Sequence, residues 1–152
     1  MLIPGAAGGG WDRTARGTGQ ALSESGLVRL IRYENMSGGG GGKGIAHLIE
    51  RSSPDMLLVN STPIEIRSLK NIFPQSFRDL TPIASVIGDY AVLAVRQQSE
   101  IKDLRTLVQM QTNQPRAVAF AGGSVTSGMD HLVAALILRA AGTDPRSLKY
   151  IP

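Results

Sequence analysis

Short apolar segments alternate with helix-period segments along the chain, and glycine-rich turns join several of these pairs. Apolar residues that recur every three or four positions predict helices, whereas short apolar runs bounded by turn residues predict strands. The predicted helices cover residues 12–23, 45–51, 63–70, 103–110 and 128–141. The predicted strands cover residues 2–4, 27–33, 56–60, 83–86, 90–96, 117–121 and 148–151. This succession of strand, turn and helix is typical of an α/β domain.

Two predicted elements carry expectations about burial and capping. Residues 128–141 are apolar on nearly every face, which is typical of a helix enclosed by protein, and Gly142 marks its end. Ser127 and Asp130 have the spacing of a capping box and are predicted to open that helix. The strand at residues 90–96 is largely apolar, as in a sheet that is covered on both faces.

Length and composition indicate one domain, or parts of two, with a sizeable hydrophobic core. The chain has 152 residues, of which 42% are apolar, and a chain of this length needs neither disulfides nor a structural metal. The absence of cysteine excludes thiolate catalysis, zinc–thiolate sites and iron–sulfur clusters. The longest unbroken apolar run, residues 132–138, is too short to cross a membrane. Residues 1–10 show no secretory signal peptide.

The charge balance favours anionic partners other than nucleic acid. The formal net charge is +4, which attracts anions. The basic residues are scattered, however, and three Tyr, three Phe and one Trp provide few surfaces on which bases could stack. Nucleic-acid binding is therefore not expected.

Three glycine-rich turns are candidates for a binding site. They lie at residues 8–10, 38–44 and 122–124, between predicted strands and helices. Such a turn exposes backbone N–H groups at the positive end of a helix dipole, which suits an anion. Alternatively, the glycines only supply positive φ angles and close packing. Three turns that feed one sheet favour binding, because loops at the carboxyl ends of parallel strands converge on one crevice.

The second glycine run permits an alternative function, that of a nucleotide-dependent α/β enzyme. Gly39, Gly41 and Gly44 satisfy the G-x-G-x-x-G spacing, and Glu65 follows where a ribose-binding acid could stand. Five consecutive glycines satisfy almost any spacing, however, and Glu65 equally suits the first turn of a helix. A P-loop is not formed, because Ser37 replaces its first glycine.

No catalytic constellation is evident, so we predict no enzymatic activity, no catalytic residue, no metal and no cofactor. Residues 122–126 lack the closing glycine of a nucleophile elbow. The two histidines, His47 and His131, suit either a ligand or acid–base role or a structural hydrogen bond. Ser61 and Thr62 suit either helix capping or hydroxyl donation to a ligand.

Several motifs, taken in order along the chain, resemble one protein family. They are Ile3-Pro4, Gly8-Gly9-Gly10-Trp11-Asp12, Ser37-Gly38-Gly39-Gly40-Gly41, Leu57-Leu58-Val59-Asn60-Ser61, Asp89-Tyr90-Ala91-Val92-Leu93-Ala94-Val95, Ala121-Gly122-Gly123-Ser124 and His131-Leu132. Together they resemble the substrate-binding proteins of tripartite tricarboxylate transporters, the Bug family. The first glycine motif and the Asp-Tyr pair resemble the citrate or tricarboxylate branch most closely.

The resemblance implies an α/β fold of the periplasmic binding protein type II class, with two α/β lobes and mostly parallel sheets. Residues 1–96 would form the first lobe and residues 97–152 the second. Family members are roughly twice as long, so both lobes are expected to be partial, with the first strand truncated and the fold incomplete at the C-terminus. Exposed strand edges then favour pairing with a second chain, which predicts either a homodimer or aggregation in solution.

The resemblance also implies a function: an extracytoplasmic, periplasmic solute-binding protein that captures citrate or another di- or tricarboxylate in a cleft between lobes. The carboxylate would then be delivered to the transmembrane subunits of a tripartite tricarboxylate transporter. Asp12, as an acid near an anion, is expected either to cap its helix or to face a ligand hydroxyl. The candidate ligand-binding residues are Gly8, Gly9, Gly10, Trp11, Asp12, Ser61, Thr62, Gly122, Gly123, Ser124, Thr126 and His131.

Overall fold

The computed structural model describes residues 1–152 and divides them into two compact units. Met1–Gly88 form the first unit and Asp89–Pro152 form the second. The lobe boundary expected after residue 96 lies a little beyond this division. The assignment of the units to two lobes of a binding protein stays a prediction.

The first unit contains a short parallel strand pair and three helices. Leu2–Ile3 (β1) pairs in parallel with Glu34–Asn35 (β2), and Leu2 also forms an isolated parallel bridge with Leu58. The helix between the two paired strands makes a β-α-β crossover, as parallel pairing requires. The helices are Gly10–Glu24 (α1), Gly42–Arg51 (α2) and Thr62–Leu69 (α3), and short 3-10 turns cover Gly39–Gly41 and Phe77–Asp79.

The core of the first unit gathers around residues of α2 and α3. Ile45, Ile64 and Phe73 form a buried cluster, against which Trp11 and Leu58 pack. Both residues of β1 are buried as well. The end of β1, at Ile3, therefore lies in the protein interior.

The second unit repeats the pattern of a parallel strand pair and helices. Ala119–Ala121 (β3) pairs in parallel with Lys149–Ile151 (β4). Leu104–Asn113 (α4) precedes β3, Met129–Ala140 (α5) follows it, and a 3-10 turn covers Pro145–Ser147. The buried core consists of Leu107, Phe120, Ala134, Leu138 and Leu148.

The α/β class and the five predicted helices are confirmed, with ends that shift by a few residues. The parallel pairs β1–β2 and β3–β4 agree with a truncated α/β fold. Asp103 caps α4 by accepting a hydrogen bond from Thr106 N at 2.7 Å, and this contact lowers the pKa of the Asp103 carboxyl. None of the helices combines the length and the hydrophobicity that a membrane span requires.

Several predicted strands are wrong. Residues 27–33, 83–86 and 90–96 form no strand, and within residues 56–60 only Leu58 makes a bridge. A strand requires a neighbour with which to exchange backbone hydrogen bonds. Residues 81–98 have no such neighbour and are exposed along their whole length, so the expectation of a sheet covered on both faces is also wrong.

The expectation that α5 is enclosed on all sides is only partly met. Ala134 and Leu138 are buried, but Leu136 is 57% exposed and Leu132 is 37% exposed. One face of α5 therefore packs in the core with Leu107, Phe120 and Leu148, while its opposite face meets solvent.

Candidate functional site

The first glycine turn leads from β1 into α1 and leaves backbone donors open. Gly8 has a φ of +79°, a conformation that glycine adopts without strain. Gly9 N donates to Ala6 O at 3.2 Å, and the helical hydrogen bonds begin where Arg13 N donates to Gly9 O at 3.0 Å. The N–H groups of residues 10–12 consequently have no protein acceptor and stand at the positive end of the α1 dipole.

The side chain of Asp12 stabilises this turn through hydrogen bonds. Its buried carboxylate accepts hydrogen bonds from Arg16 Nε at 2.9 Å, from Gly8 N at 2.9 Å and from Asn35 Nδ2 at 3.0 Å. Gly9, and not Asp12, is the N-cap residue of α1, so the capping expectation for Asp12 is wrong. Its carboxylate, on the third residue of α1, instead accepts hydrogen bonds from Gly8 before the helix and from Asn35 of β2. These hydrogen bonds connect α1 to β2.

These contacts make the stability of the chain depend on pH. The hydrogen bonds from Arg16, Gly8 and Asn35 hold the pKa of Asp12 far below its ordinary value of 3.8. At a pH between the pKa of Asp12 in the folded chain and its pKa in the unfolded chain, the unfolded chain binds more protons, so the free energy of unfolding rises with pH. The stabilisation by Asp12 is complete above the unfolded-state pKa. It is lost as the pH falls towards the folded-state pKa.

We therefore expect Asp12→Asn to lower the urea concentration at the midpoint of unfolding at pH 7. The difference in midpoint between the wild type and Asp12→Asn should then become steadily smaller below about pH 5. Urea unfolding at a series of pH values measures both midpoints. Asp103 and Asp144, whose pKa values are also lowered, are present in both chains, so the difference isolates Asp12. A gap that stayed constant down to pH 2 would contradict this assignment.

A hydrogen bond joins the start of α1 to the start of α3. Trp11 Nε1 donates to Ser61 Oγ at 2.6 Å, and Ser61 is the N-cap residue of α3. The hydroxyl of Ser61 keeps its own proton for donation, because in this contact its oxygen is the acceptor. The structure thus brings together Gly10, Trp11 and Ser61 of the predicted site, with Thr62 next in the chain.

The second glycine run serves packing. Gly41, Gly42 and Gly44 are buried, and a Cβ at Gly42 would lie 2.5 Å from Cγ of Phe73. Gly41 N donates to Gly38 O at 3.0 Å, and Arg67 Nη1 donates to Gly40 O at 3.0 Å. The close approach of side chains explains the glycines at 41, 42 and 44.

The third glycine turn is closed by a reciprocal pair of hydrogen bonds. Ser124 N donates to Asp130 Oδ2 at 2.9 Å, and Asp130 N donates to Ser124 Oγ at 3.0 Å. The predicted capping box of Ser127 and Asp130 is therefore wrong: Asp130 pairs with Ser124, and the N-cap residue of α5 is Gly128. Ser127 has a left-handed φ of +62°, whereas an N-cap residue is normally extended.

Tyr150 of β4 supports the same turn and was not foreseen as part of it. Its hydroxyl donates to Ser124 O at 2.7 Å and lies 3.3 Å from Ser124 Oγ. A Cβ at Gly122 would meet the Tyr150 hydroxyl and would lie 2.7 Å from Cβ of Asp130. Gly122 is therefore needed for this close approach, and a lone tyrosine in a predicted strand gave no signal of the contact.

The histidines differ in their surroundings. His131 Nδ1 accepts a hydrogen bond from Ser127 N at 2.9 Å, and its ring centroid lies 4.7 Å from that of Tyr150. This is the structural hydrogen bond that the sequence allowed for. His47 lies half-buried in α2. Thr126 and Gly123 are exposed beside the third turn, and no group of three or more His, Asp or Glu side chains is arranged to hold a metal.

A surface groove of about 410 Å³ runs beside α1, away from the predicted residues. It is open to solvent and contains none of the twelve candidate site residues. It is lined by residues of α1 and of the segment after it, five with polar or charged side chains (Gln20, Ser23, Glu24, Arg29 and Tyr33) and three without (Gly19, Leu30 and Ile31).

Comparison with known proteins gives relatives of low identity that extend over nearly the whole chain. The chain is similar to two curated UPF0065 proteins. The UPF0065 protein in the tcbD-tcbE intergenic region of Pseudomonas sp. (strain P51) is 26% identical over 155 residues, covering 98% of this chain and 45% of that protein. The UPF0065 protein in the TAR-I ttuE-ttuC' intergenic region of Agrobacterium vitis is 26% identical over 154 residues, covering 99% and 44%.

The chain therefore spans less than half the length of the curated relatives it matches. No family model and no solved structure matches it. UPF0065 is the Bug family, so the two relatives support the family resemblance that the sequence motifs carry.

Proposed function

We propose that the chain is a non-enzymatic, extracytoplasmic solute-binding protein that captures a small carboxylate, citrate or another di- or tricarboxylate, in the periplasm. Its partners would be the transmembrane subunits of a tripartite tricarboxylate transporter, which receive the ligand. The similarity to UPF0065 proteins supports the general class. The motifs around residues 8–12 and 89–95 support the citrate branch.

One observation carries the choice of ligand: the N–H groups of residues 10–12 at the start of α1 are open, and the indole Nε1 of Trp11 donates to the hydroxyl oxygen of Ser61 at 2.6 Å. Backbone N–H groups at a helix N-terminus bind anions through hydrogen bonds and through the helix dipole. Neutral donors suffice for a carboxylate, because hydrogen bonds to a charged acceptor are short and strong. The carboxylate of Asp12 takes no part, since it is directed at Arg16, Gly8 and Asn35.

Isothermal titration of the refolded chain tests this function. The chain is unfolded and refolded to remove endogenous ligand, and is then titrated with citrate, other di- and tricarboxylates, and NAD. We expect binding of at least one carboxylate and none of NAD. Binding of NAD without any carboxylate would establish the nucleotide alternative and overturn the proposal.

Ser124 offers a separate test in the second unit. Its oxygen already accepts from Asp130 N, and its hydroxyl proton can turn from the Tyr150 hydroxyl oxygen, 3.3 Å away, to a ligand. If that proton bonds a carboxylate oxygen, Ser124→Ala weakens binding by about 1–2 kcal/mol. Titration of Ser124→Ala beside Tyr150→Phe checks this, because Tyr150→Phe disturbs the same turn and keeps the serine hydroxyl. Equal affinities for wild type and Ser124→Ala would remove Ser124 from the site.

A further inference from the structure

The peptide bond after Asn60 has surroundings that favour a reaction of the asparagine side chain. Ser61 N donates its only hydrogen bond to Oδ1 of the preceding Asn60, at 2.6 Å. This contact brings the Ser61 nitrogen beside Cγ of Asn60, the carbon that carries Oδ1. A nitrogen held this close to an amide carbon is in position to attack it. The amide nitrogen that such an attack displaces, Asn60 Nδ2, makes no hydrogen bond within the chain.

The other three asparagines, Asn35, Asn71 and Asn113, lack this arrangement. The N–H group that follows each of them donates to a backbone oxygen elsewhere in the chain: Met36 N to Ile3 O at 2.8 Å, Ile72 N to Arg67 O at 3.1 Å and Gln114 N to Met110 O at 3.0 Å. The residue that follows is also larger than serine in all three cases. Asn35 is restrained further, because its Nδ2 donates to Gly5 O and to Asp12 Oδ1.

The peptide bond between Asn60 and Ser61 is also accessible. Asn60 is half-buried and Ser61 is exposed, so water reaches this part of the chain. Ser61 is extended and precedes α3, which begins at Thr62. The N–H group of Ser61 therefore takes part in no helical hydrogen bond that a reaction would have to break.

We propose that Asn60 is a site of spontaneous deamidation, a modification that belongs to asparagine as a thermolabile residue. Ser61 N loses its proton and forms a bond to Cγ of Asn60. The bond from Cγ to Nδ2 breaks, and the amide nitrogen leaves with that proton as ammonia, so that a cyclic succinimide remains. Water then opens the ring at one of its two carbonyl carbons. The products are aspartate at position 60, or isoaspartate, in which the main chain runs through the side-chain carbon.

Both products carry a negative charge beside a residue of the proposed carboxylate site. Trp11 Nε1 donates to Ser61 Oγ, and the new carboxylate would lie next to Ser61. Like charges repel each other, so deamidation weakens carboxylate binding, a consequence that rests on the proposed function. The isoaspartate product also adds a carbon to the main chain before Ser61, which displaces the N-cap residue of α3.

Ageing of the folded chain at mildly alkaline pH tests the modification in the absence of any ligand. The tryptic peptide of residues 52–67 contains Asn60 and no other asparagine. We expect this peptide to gain the mass of a deamidation and to contain isoaspartate. The reaction should become faster as the pH rises, because the attacking nitrogen has to lose its proton. The same peptide from Asn60→Gln should stay unmodified, since glutamine would have to close a larger ring.

Comparison with the chain unfolded in urea tests the role of the geometry. We expect Asn35, Asn71 and Asn113 to react roughly tenfold or more slowly in the folded chain than in the unfolded chain, because their hydrogen bonds protect them. Asn60 should react at least as fast in the folded chain as in the unfolded chain. An Asn60 that stays intact in the folded chain, or that reacts there no faster than the other three asparagines, would overturn the proposal.

Titration of Asn60→Asp with citrate tests the consequence for binding. We expect Asn60→Asp to bind citrate about tenfold more weakly than the wild type. Asn71→Asp makes the same charge change beyond the opposite end of α3 and should bind citrate as the wild type does. Equal affinities in all three chains would contradict the effect of position 60 on binding. A wild-type chain that binds no citrate would count against the proposed function, whereas the ageing experiment decides the deamidation independently.

Discussion

Gly41→Ala is expected to lower the free energy of unfolding by about 2–5 kcal/mol. Gly41 has a φ of +100°, a conformation that costs an L-residue about 1–2 kcal/mol. A Cβ there would also lie 2.7 Å from Cδ1 of Ile64, which is fully buried. Forcing an extra methyl into a packed core costs about 1–3 kcal/mol more. Urea unfolding of both chains measures the difference.

Gly39→Ala is the matched control for Gly41→Ala. Gly39 also has a positive φ, +57°, but a Cβ there would meet nothing within 4 Å. In this variant only the unfavourable φ angle destabilises the folded chain, so we expect the free energy of unfolding to fall by about 1 kcal/mol. Equal losses for the two variants would show that the contact between Gly41 and Ile64 does not constrain the fold.

Gly10→Pro is expected to weaken carboxylate binding by roughly tenfold or more without unfolding the chain. Gly10 is the first residue of α1, where proline is well tolerated because the N–H has no helical acceptor. Gly9 before it is extended, with φ of −72° and ψ of 174°, as a residue before proline prefers. The substitution therefore deletes one proposed donor, and a hydrogen bond to a charged group contributes about 1.5–3 kcal/mol.

Gly10→Ala separates the lost donor from the added side chain. A Cβ at Gly10 would meet nothing within 4 Å, and alanine keeps the N–H group. We expect Gly10→Ala to bind the carboxylate as the wild type does, and both variants to unfold at a urea concentration no lower than that of the wild type. A Gly10→Ala variant that bound as weakly as Gly10→Pro would assign the effect to bulk and not to the N–H group.

The helices could be predicted from sequence because their signals are local. In α4, the capping residue Asp103 and the buried Leu107 lie within four positions of each other. The strands could not be predicted equally well, because a strand depends on a partner elsewhere in the chain. Residues 90–96 have the composition of a buried strand, yet no other part of either described unit pairs with them.

The candidate site shows the same division between local and distant signals. The first glycine turn and its position before a helix were visible in the sequence. The contact between Trp11 and Ser61 was not, since it joins residues 50 positions apart. Similarly, the spacing of Ser127 and Asp130 predicted a capping box. Ser127 has a left-handed φ, however, which is unlike that of an N-cap residue. Ser124 forms the hydrogen bond with Asp130 instead.

The most direct test of carboxylate capture by the first glycine turn is isothermal titration of citrate into the wild-type chain, Gly10→Ala and Gly10→Pro under identical conditions. We expect saturable heat from the wild type and Gly10→Ala, with affinity at least tenfold lower in Gly10→Pro. Equal citrate affinity in all three chains would contradict a role for the Gly10 N–H group. The absence of citrate binding by the folded wild-type chain would contradict the assignment of citrate as the ligand.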